Sequence, residues 1–302
     1  MEKTGNKILL IMNPRSGTMQ AARYLVDILQ MYTNAGYCTT VMMTNASGDA
    51  RRFAIEYSRD ADIVVAVGGD GTLNEVIDGV ITSGSGTVIG YIPSGSTNDF
   101  ASSVGLPKGI MDAAEVVLRG TPKNFDVGCF NGRYFSYVAS FGAFTSTSYN
   151  VPQNLKNIMG HTAYVLQGIR DVVNIKRIVA KVITDEGTPN EEVHEGEYLF
   201  GAICNSTSVA GLLKLDSFDV DMNDGMMEVL LIEAPATIAE MNEMVRALLD
   251  GSLNAPNIKF YSAKNIRLRI ETDTHWTLDG EYEKGSTEIR IQTIQSAIRL
   301  IV

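Results

Sequence analysis

The sequence predicts two domains, an α/β domain of parallel βα units over residues 1–122 and an antiparallel β-sandwich over 123–302. Three observations carry that expectation. At 302 residues the chain is longer than a single core comfortably serves. Apolar strand-like runs alternate with helical stretches through the first third, as in a parallel sheet covered by helices. After about residue 120 the pattern changes to segments with period-two alternation. The boundary near 122 is soft, since the final strands near 297–302 are free to return to the first domain.

Residues 7–12 (KILLIM) form a continuous apolar run, as a strand buried on both faces requires. A helix is expected over 19–34, ending at Gly36, then a strand over 37–43 and a helix over 48–59. The run 62–67 (DIVVAV) is a third strand. A helix over 72–82, a strand over 87–92 and a helical segment over 98–104 follow. Further strands are expected over 125–130, 133–140, 177–183, 192–204, 226–233, 265–270, 275–278, 288–293 and 297–301. Helices are expected over 155–173 and 237–249.

Composition bounds the function classes. A chain that is 45% hydrophobic and 20% charged has an ordinary globular balance. Its formal net charge of -10 repels polyphosphate backbones, which argues against a nucleic-acid partner. Cys38, Cys129 and Cys204 are scattered and never spaced C-x-x-C, so they read as free thiols of a reducing compartment. His161, His194 and His275 lie far apart and near no cysteine pair, so no zinc site is expected. No apolar stretch is long enough to span a bilayer, and the N-terminal run is short for a signal peptide. The expectation is a cytoplasmic protein that meets membranes transiently and peripherally.

Three loops carry phosphate-type chemistry. Gly68-Gly69-Asp70-Gly71-Thr72 follows an apolar strand and opens a helix. Glycines there let backbone amides approach an anion, and the helix N-terminus adds partial positive charge. Thr72 and Glu75 have capping-box spacing, which places the helix start at this point. Asp70 beside an anion site points to bound Mg²⁺. The second loop is Pro93-Ser94-Gly95-Ser96-Thr97-Asn98-Asp99, and the third is Asn13-Pro14-Arg15-Ser16-Gly17. Each taken alone is an ordinary turn or helix cap. All three, however, sit at the carboxyl ends of strands in one expected parallel sheet, the edge where such sheets bind ligands. There is no G-x-x-x-x-G-K-[ST], and no G-x-G-x-x-G after the first strand, so P-loop and dinucleotide folds are disfavoured.

The second half offers carboxylates. Glu281, in Asp279-Gly280-Glu281, would project from a strand-end turn as a base on a hydroxyl, although the triplet alone reads as a solvated hairpin. Asp224, in Asp221-Met222-Asn223-Asp224-Gly225, suits a structural cation or a simple β-turn. Asp126 lies in a strand-like run, where it either faces water or, if buried, needs a partner or a metal.

With these residues on the page, the chain resembles the diacylglycerol kinase catalytic-domain family, in its bacterial soluble lipid-kinase branch. The shared motifs are NPRSG (13–17), GGDGTLNEV (68–76), PSGSTNDFA (93–101), FDVG (125–128), NDGMMEV (223–229) and LDGE (278–281), in the family's order. GGDGT alone also occurs in NAD kinases and phosphofructokinases; the ordered set is specific. The resemblance implies a nucleotide domain of the NAD-kinase/diacylglycerol-kinase kind and a β-sandwich that receives lipid. It implies ATP as co-substrate, bound around Asn13, Ser16, Thr44, Gly69, Asp70, Gly71, Ser94, Gly95 and Thr97. It implies Asp70 acting with Mg²⁺, and Glu281 as general base on a lipid hydroxyl, with diacylglycerol giving phosphatidic acid. Asp99 and Asp126 would join a charged network. Asp224, with the backbone carbonyls of Asp221 and Met226, would hold a structural Mg²⁺, and a homodimer is the implied assembly.

The chain departs from the family at three points: Thr18 and Ser102 stand where basic residues are usual, and Asn223 where an aspartate is usual. Other lipid acceptors (a sphingoid base, ceramide, phosphatidylglycerol), an NAD kinase-like activity and a non-catalytic nucleotide or lipid sensor stay open. The segment 156–181 carries Lys156, Arg170, Lys176, Arg177 and Lys181 against Asp171 alone. It suits either an anionic membrane surface or a solvated helix face.

Overall fold

Four parallel strands form the sheet that carries the three loops: β1 (Lys7–Met12), β2 (Cys38–Met43), β3 (Ile63–Gly68) and β4 (Val88–Pro93), in the order β2-β1-β3-β4. The computed structural model describes residues 6–17, 19–143, 176–206, 208–209, 213–214, 220–250, 253–271 and 274–302. Thr18, the helix expected over 155–173 and most of the basic segment lie outside them. Contacts divide the chain into two units, Met1–Val127 with Gln295–Val302, and Gly128–Ile294.

In the first unit the two central strands are apolar because both faces are covered. β3 is buried at all six positions, and β1 at every position after Lys7. Each fully buried aliphatic side chain there contributes roughly 1.5–3 kcal/mol. The helices are α1 (Leu25–Asn34), preceded by a 3-10 turn at Ala21–Tyr24, then α2 (Asp49–Tyr57), α3 (Asp70–Ser83), α4 (Asp99–Ser103) and α5 (Ile110–Arg119). The expectation for 98–120 misses α5, although Ala113, Ala114 and Val117 lie on one face and bury against the sheet. The helix expected over 72–82 starts two residues earlier, at Asp70, with Gly69 as N-cap. Thr72 and Glu75 are therefore not a capping box. Glu75 instead reaches the start of α2, accepting the Gly48 amide at 2.7 Å and the Ala50 amide at 3.0 Å.

After α5 come β5 (Pro122–Phe130), β6 (Arg133–Phe135), β7 (Val138–Gly142), β8 (Ile178–Thr184) and β9 (Glu192–Cys204). Two short pieces, β10 (Ser208–Val209) and β11 (Leu213–Lys214), pair with each other. Next come β12 (Met227–Glu233), α6 (Ile238–Asp250), β13 (Ile258–Ala263), β14 (Asn265–Ile270), β15 (His275–Leu278), β16 (Glu281–Lys284) and β17 (Glu288–Ile301).

In the second unit the pairing β16-β15-β7-β9-β8-β14-β17 is antiparallel throughout. β9 is long enough to serve two neighbours in turn: its first half pairs β8 and its second half β7, with β12 on its other edge. Trp276 is fully buried here, its ring 4.9 Å from Phe130 and 4.7 Å from Phe141.

Three expectations for this half are corrected. The single strand expected over 133–140 is two, β6 and β7, broken where the Asp279 carboxylate takes the backbone amides of Ser136, Tyr137 and Val138. Glu281 does not stand in a turn; it opens strand β16. The two strands expected at the C-terminus are one, β17, interrupted at Ser296 by a left-handed backbone (φ 51). Its last residues belong to the first unit, where Leu300 pairs in parallel with Ile89 of β4 and Thr121 N–H donates to Val302 O at 2.9 Å.

Candidate active site

Hydrogen bonding continues past the strand ends and holds the loops at one sheet edge. Asn13 N–H donates to Val67 O at 2.9 Å, Thr44 N–H to Met12 O at 2.9 Å and Ser94 N–H to Gly68 O at 2.7 Å. At two points the loops approach backbone to backbone. A Cβ on Gly95 would lie 2.6 Å from Gly69 Cα, and one on Gly17 (φ 52) would lie 2.3 Å from Ser94 O. Only glycine fits either position, whatever the ligand. Ser16 Oγ lies 3.6 Å from where a Gly69 Cβ would be. The buried Ser94 Oγ has no hydrogen-bond partner among the described residues. Asn13, Ser16, Thr44, Gly69, Asp70, Gly71, Ser94, Gly95, Thr97 and Asp99 are thus brought together by β1, β2, β3 and β4 and the turns that leave them.

Asp70 organises this edge. It is the first residue of α3, buried, and its carboxylate accepts the Asp99 amide at 3.1 Å and the Phe100 amide at 3.3 Å. It therefore ties the second loop to the third strand's helix. Asn98, left-handed at φ 54, closes the loop by accepting the Gly95 amide (2.9 Å) and donating to Gly95 O (3.0 Å). Burial raises Asp70's pKa above the ordinary carboxylate value, against the pull of the Asp99, Phe100 and Asn98 amides. Burial and the charge of Asp70 together push Asp99 up to about 6. Beside the second loop lies a cavity of about 400 Å³ lined by Tyr24, Ser94, Gly95, Asn98, Lys108 and Met111. Tyr24 and Lys108 were not readable as site residues, because neither stands in a motif.

Asp126 is buried, and its Oδ1 accepts the Ser296 amide at 2.6 Å, so it holds the interruption in β17.

In the second unit, β15 and β16 form a hairpin whose two turn residues, Asp279 (φ 50) and Gly280 (φ 84), are both left-handed. The Asp279 carboxylate is buried and takes four hydrogen bonds. Oδ2 accepts Ser136 N–H (2.6 Å) and Oγ–H (2.8 Å), and Oδ1 accepts Tyr137 N–H (3.0 Å) and Val138 N–H (2.9 Å). Burial pushes its pKa to about 6 against those donors. One residue beyond the turn, the Glu281 side chain is 40% exposed and pairs through Oε2 with Arg133 Nη2 at 2.7 Å. Arg133 Nη1 pairs with Glu283.

The third group lies before β12. Asp221 and Asp224 are exposed and shape their own loop: Asp221 Oδ1 accepts the Asn223 amide (3.0 Å) and Asp224 Oδ1 the Met226 amide (2.8 Å). Glu228, two residues beyond Met226, went unread in the sequence because it stands at a strand position. It is buried, its Oε2 has no hydrogen-bond partner among the described residues, and burial with the charges of Asp224 and Asp221 raises its pKa to about 7. Among the described residues no three His, Cys, Asp or Glu side chains gather closely enough to hold a metal by themselves.

Comparison with known proteins decides the family. The family described as "Diacylglycerol kinase catalytic domain" matches residues 7–130. A diacylglycerol kinase of Bacillus subtilis (strain 168) is 33% identical over 276 residues, covering 90% of this chain and 89% of the relative. This chain belongs to the diacylglycerol kinase family. Another such kinase, from Staphylococcus saprophyticus, is 34% identical over 275 residues, covering 90% of this chain and 88% of its own. A crystal structure of a diacylglycerol kinase from Bacillus anthracis str. Sterne shares the fold with a TM-score of 0.73 at 20% identity, over 99% of this chain and 98% of that one. A second structure from the same strain does so at 0.80 and 22%, over 100% and 96%. Membership gives the enzyme class, a lipid kinase. Among the described residues no helix is long and apolar enough to cross a membrane.

Proposed function

We propose that this protein transfers the γ-phosphate of MgATP to the hydroxyl of a membrane lipid, with diacylglycerol as acceptor and phosphatidic acid as product. The observation that carries the proposal is the close backbone approach of the Gly17, Gly69 and Gly95 loops, together with a Ser94 Oγ that has no hydrogen-bond partner among the described residues. Amides and small hydroxyls at strand ends and a helix N-terminus make a polyphosphate cradle. The choice of acceptor rests on the names of the relatives and on the ordered motifs of the second half.

In this reading Asn13, Ser16, Thr44, Gly69, Gly71, Ser94, Gly95 and Thr97 bind the ATP phosphates. The cavity beside Tyr24 and Lys108 takes the nucleoside end. Lys108 supplies a cation in a chain that lacks the family's basic residues at 18 and 102. Asp70 and Asp99 fit Mg²⁺, because a divalent cation would relieve two neighbouring carboxylates, Asp70 raised by burial and Asp99 by burial and the charge of Asp70. When bound, Mg²⁺ supplies positive charge at the β- and γ-phosphates. Glu281 takes the proton from the acceptor hydroxyl as its oxygen bonds to the γ-phosphorus and the bond to ADP breaks. Asp224, with the carbonyls of Asp221 and Met226, would hold a structural Mg²⁺; the buried partnerless oxygen of Glu228 fits a cation nearby. Asp126 acts at a distance, by fixing β17.

The test is phosphate transfer from labelled ATP to a panel of diacylglycerol, sphingoid base, ceramide, phosphatidylglycerol and NAD in mixed micelles, comparing wild type with E281Q. Labelled phosphatidic acid that disappears in E281Q supports the reading in full. A different labelled lipid keeps the enzyme and changes the acceptor. Labelled NADP, or ATP binding with no turnover, sinks it in favour of a small-molecule kinase or a sensor. Sizing with light scattering tests the homodimer. Flotation with anionic vesicles, against K176E/R177E, tests transient membrane attachment.

A further inference from the structure

α3 carries two carboxylates that serve other helices. Asp70, at its start, takes the first amides of α4. Glu75, further along, takes the loop that leaves β2. Its Oε1 accepts the Gly48 amide at 2.7 Å and the Ser47 hydroxyl at 3.1 Å, and its Oε2 accepts the Ala50 amide at 3.0 Å. The same loop carries Thr44, which is buried and whose amide donates to Met12 O at 2.9 Å. We propose that Glu75 is a positioning residue for ATP binding, fixing the 44–50 loop against α3 and so holding Thr44 at the sheet edge. This rests on the reading of Thr44 as an ATP contact.

Three features separate this role from that of a plain helix cap. First, the loop has its own carboxylate for its local shape. Asp49 Oδ2 accepts the amides of Asn45 (2.9 Å) and Ala46 (3.0 Å), only four and three residues away. The Asn45 amide, then Arg52 and the Ala46 amide, hold Asp49 below the usual carboxylate range. Glu75 comes from another helix and sets where that loop stands. Second, α2 is docked on α3 without Glu75. The two helices approach at Gly79, where a Cβ would lie 2.5 Å from Ala54 Cβ, and Arg51 Nε pairs with Asp78 at 3.0 Å. Loss of Glu75 therefore frees the loop and leaves the helix pair in place. Third, packing does not fix the turn. Residues 45–48 are exposed, and Gly48 is left-handed (φ 86) with nothing within 4 Å of where its Cβ would be. Hydrogen bonds to a charged acceptor, about twice as strong as neutral ones, hold it instead.

The experiment is calorimetric binding of the non-hydrolysable analogue AMP-PNP with Mg²⁺, with KM and kcat for ATP and ligand-free thermal melts, on wild type, T44A, E75Q, T44A/E75Q and D78N. T44A should weaken binding about three- to tenfold, the worth of one hydrogen bond. E75Q should weaken it by a similar factor and raise KM for ATP, with kcat unchanged at saturating ATP, because Gln offers one acceptor oxygen where Glu offers two. In T44A/E75Q the affinity should be no lower than in T44A, since Glu75 acts through Thr44, while the melting temperature still falls. D78N, which breaks another tie between the two helices, should bind as wild type does. Wild-type affinity in E75Q beside a weakened T44A overturns the positioning role and leaves Thr44 as an ATP contact. Losses that add in the double variant overturn it too, because Glu75 would then act apart from Thr44. Equal losses in D78N and E75Q reduce Glu75 to general docking of α2 and reject the proposal. Wild-type affinity in T44A overturns both readings. If E75Q does not fold, E75D decides, because it keeps the charge and shortens only the reach: wild-type affinity there rejects the proposal.

Discussion

The glycine loops of the first unit and the Glu281 hairpin of the second are built in opposite ways. The loops are made of backbone: Gly17, Gly69 and Gly95 meet with no room for a Cβ, and Asn98 and Asp70 tie the turns together through main-chain amides. The hairpin is made of side chains: a buried Asp279 gathers four donors and Arg133 splits between two glutamates. A phosphate cradle needs many fixed amides, which only rigid loops at strand ends supply. A base needs one carboxylate with an adjustable charge environment, which side chains supply. Substitutions in the two regions should therefore fail differently.

The largest effect is expected at Glu281. E281Q should lower kcat by roughly a hundred- to ten-thousandfold, the range of a lost general base, and leave ATP-analogue affinity unchanged by calorimetry. G95A should do the reverse and weaken ATP binding about tenfold or more, on the order of 1.4 kcal/mol, because its Cβ would sit 2.6 Å from Gly69 Cα. If G95A lowers kcat alone, the contrast between the regions collapses. D279N sharpens it. An amide nitrogen cannot accept the hydrogen bonds that one Asp279 oxygen takes, at a cost of about 1–3 kcal/mol for buried donors left unpaired. Thermal melts should drop, and kcat should fall without a change in ATP affinity.

The last contrast is in pH dependence. Asp99 (to about 6), Asp279 (to about 6) and Glu228 (to about 7) are all raised in the folded state. Their folded pKa values exceed the unfolded ones, so the stability linked to them is fully present below about pH 4 and is lost as pH rises to about 7. Each adds a slope of at most about 1.4 kcal/mol per pH unit within its window. The melting temperature of the ligand-free protein should fall across that range once other titrations are matched, and D99N should flatten the fall. Saturating Mg²⁺ should flatten it further in wild type than in D99N. A melting curve for D99N with the wild-type pH slope would remove Asp99 from this account.

Much of this was legible in the chain, and the misses have physical causes. β1 and β9 were readable to the residue, β1 by its unbroken apolar run and β9 by an alternating polar half followed by a buried apolar one. α5 was missed although its apolar positions recur at helical spacing, with Ala113, Ala114 and Val117 on the buried face. Glu75 was misread as part of a cap because local spacing cannot tell which helix a carboxylate serves; it holds α2, 25 residues away from Ala50 in sequence. The break between β6 and β7 was invisible because its cause, Asp279, lies over 140 residues later.

The sequence by itself determined the order of the motifs, the alternation that makes the first unit α/β and the second antiparallel, and the residue types of the phosphate loops. Those properties are local, so spacing and composition carry them. Only the tertiary structure decided that the three loops meet backbone to backbone, that Asp70 spans two of them, and that Arg133 divides itself between Glu281 and Glu283. Those are contacts between distant segments, and such contacts exist only once the sheet registers have brought their strands side by side.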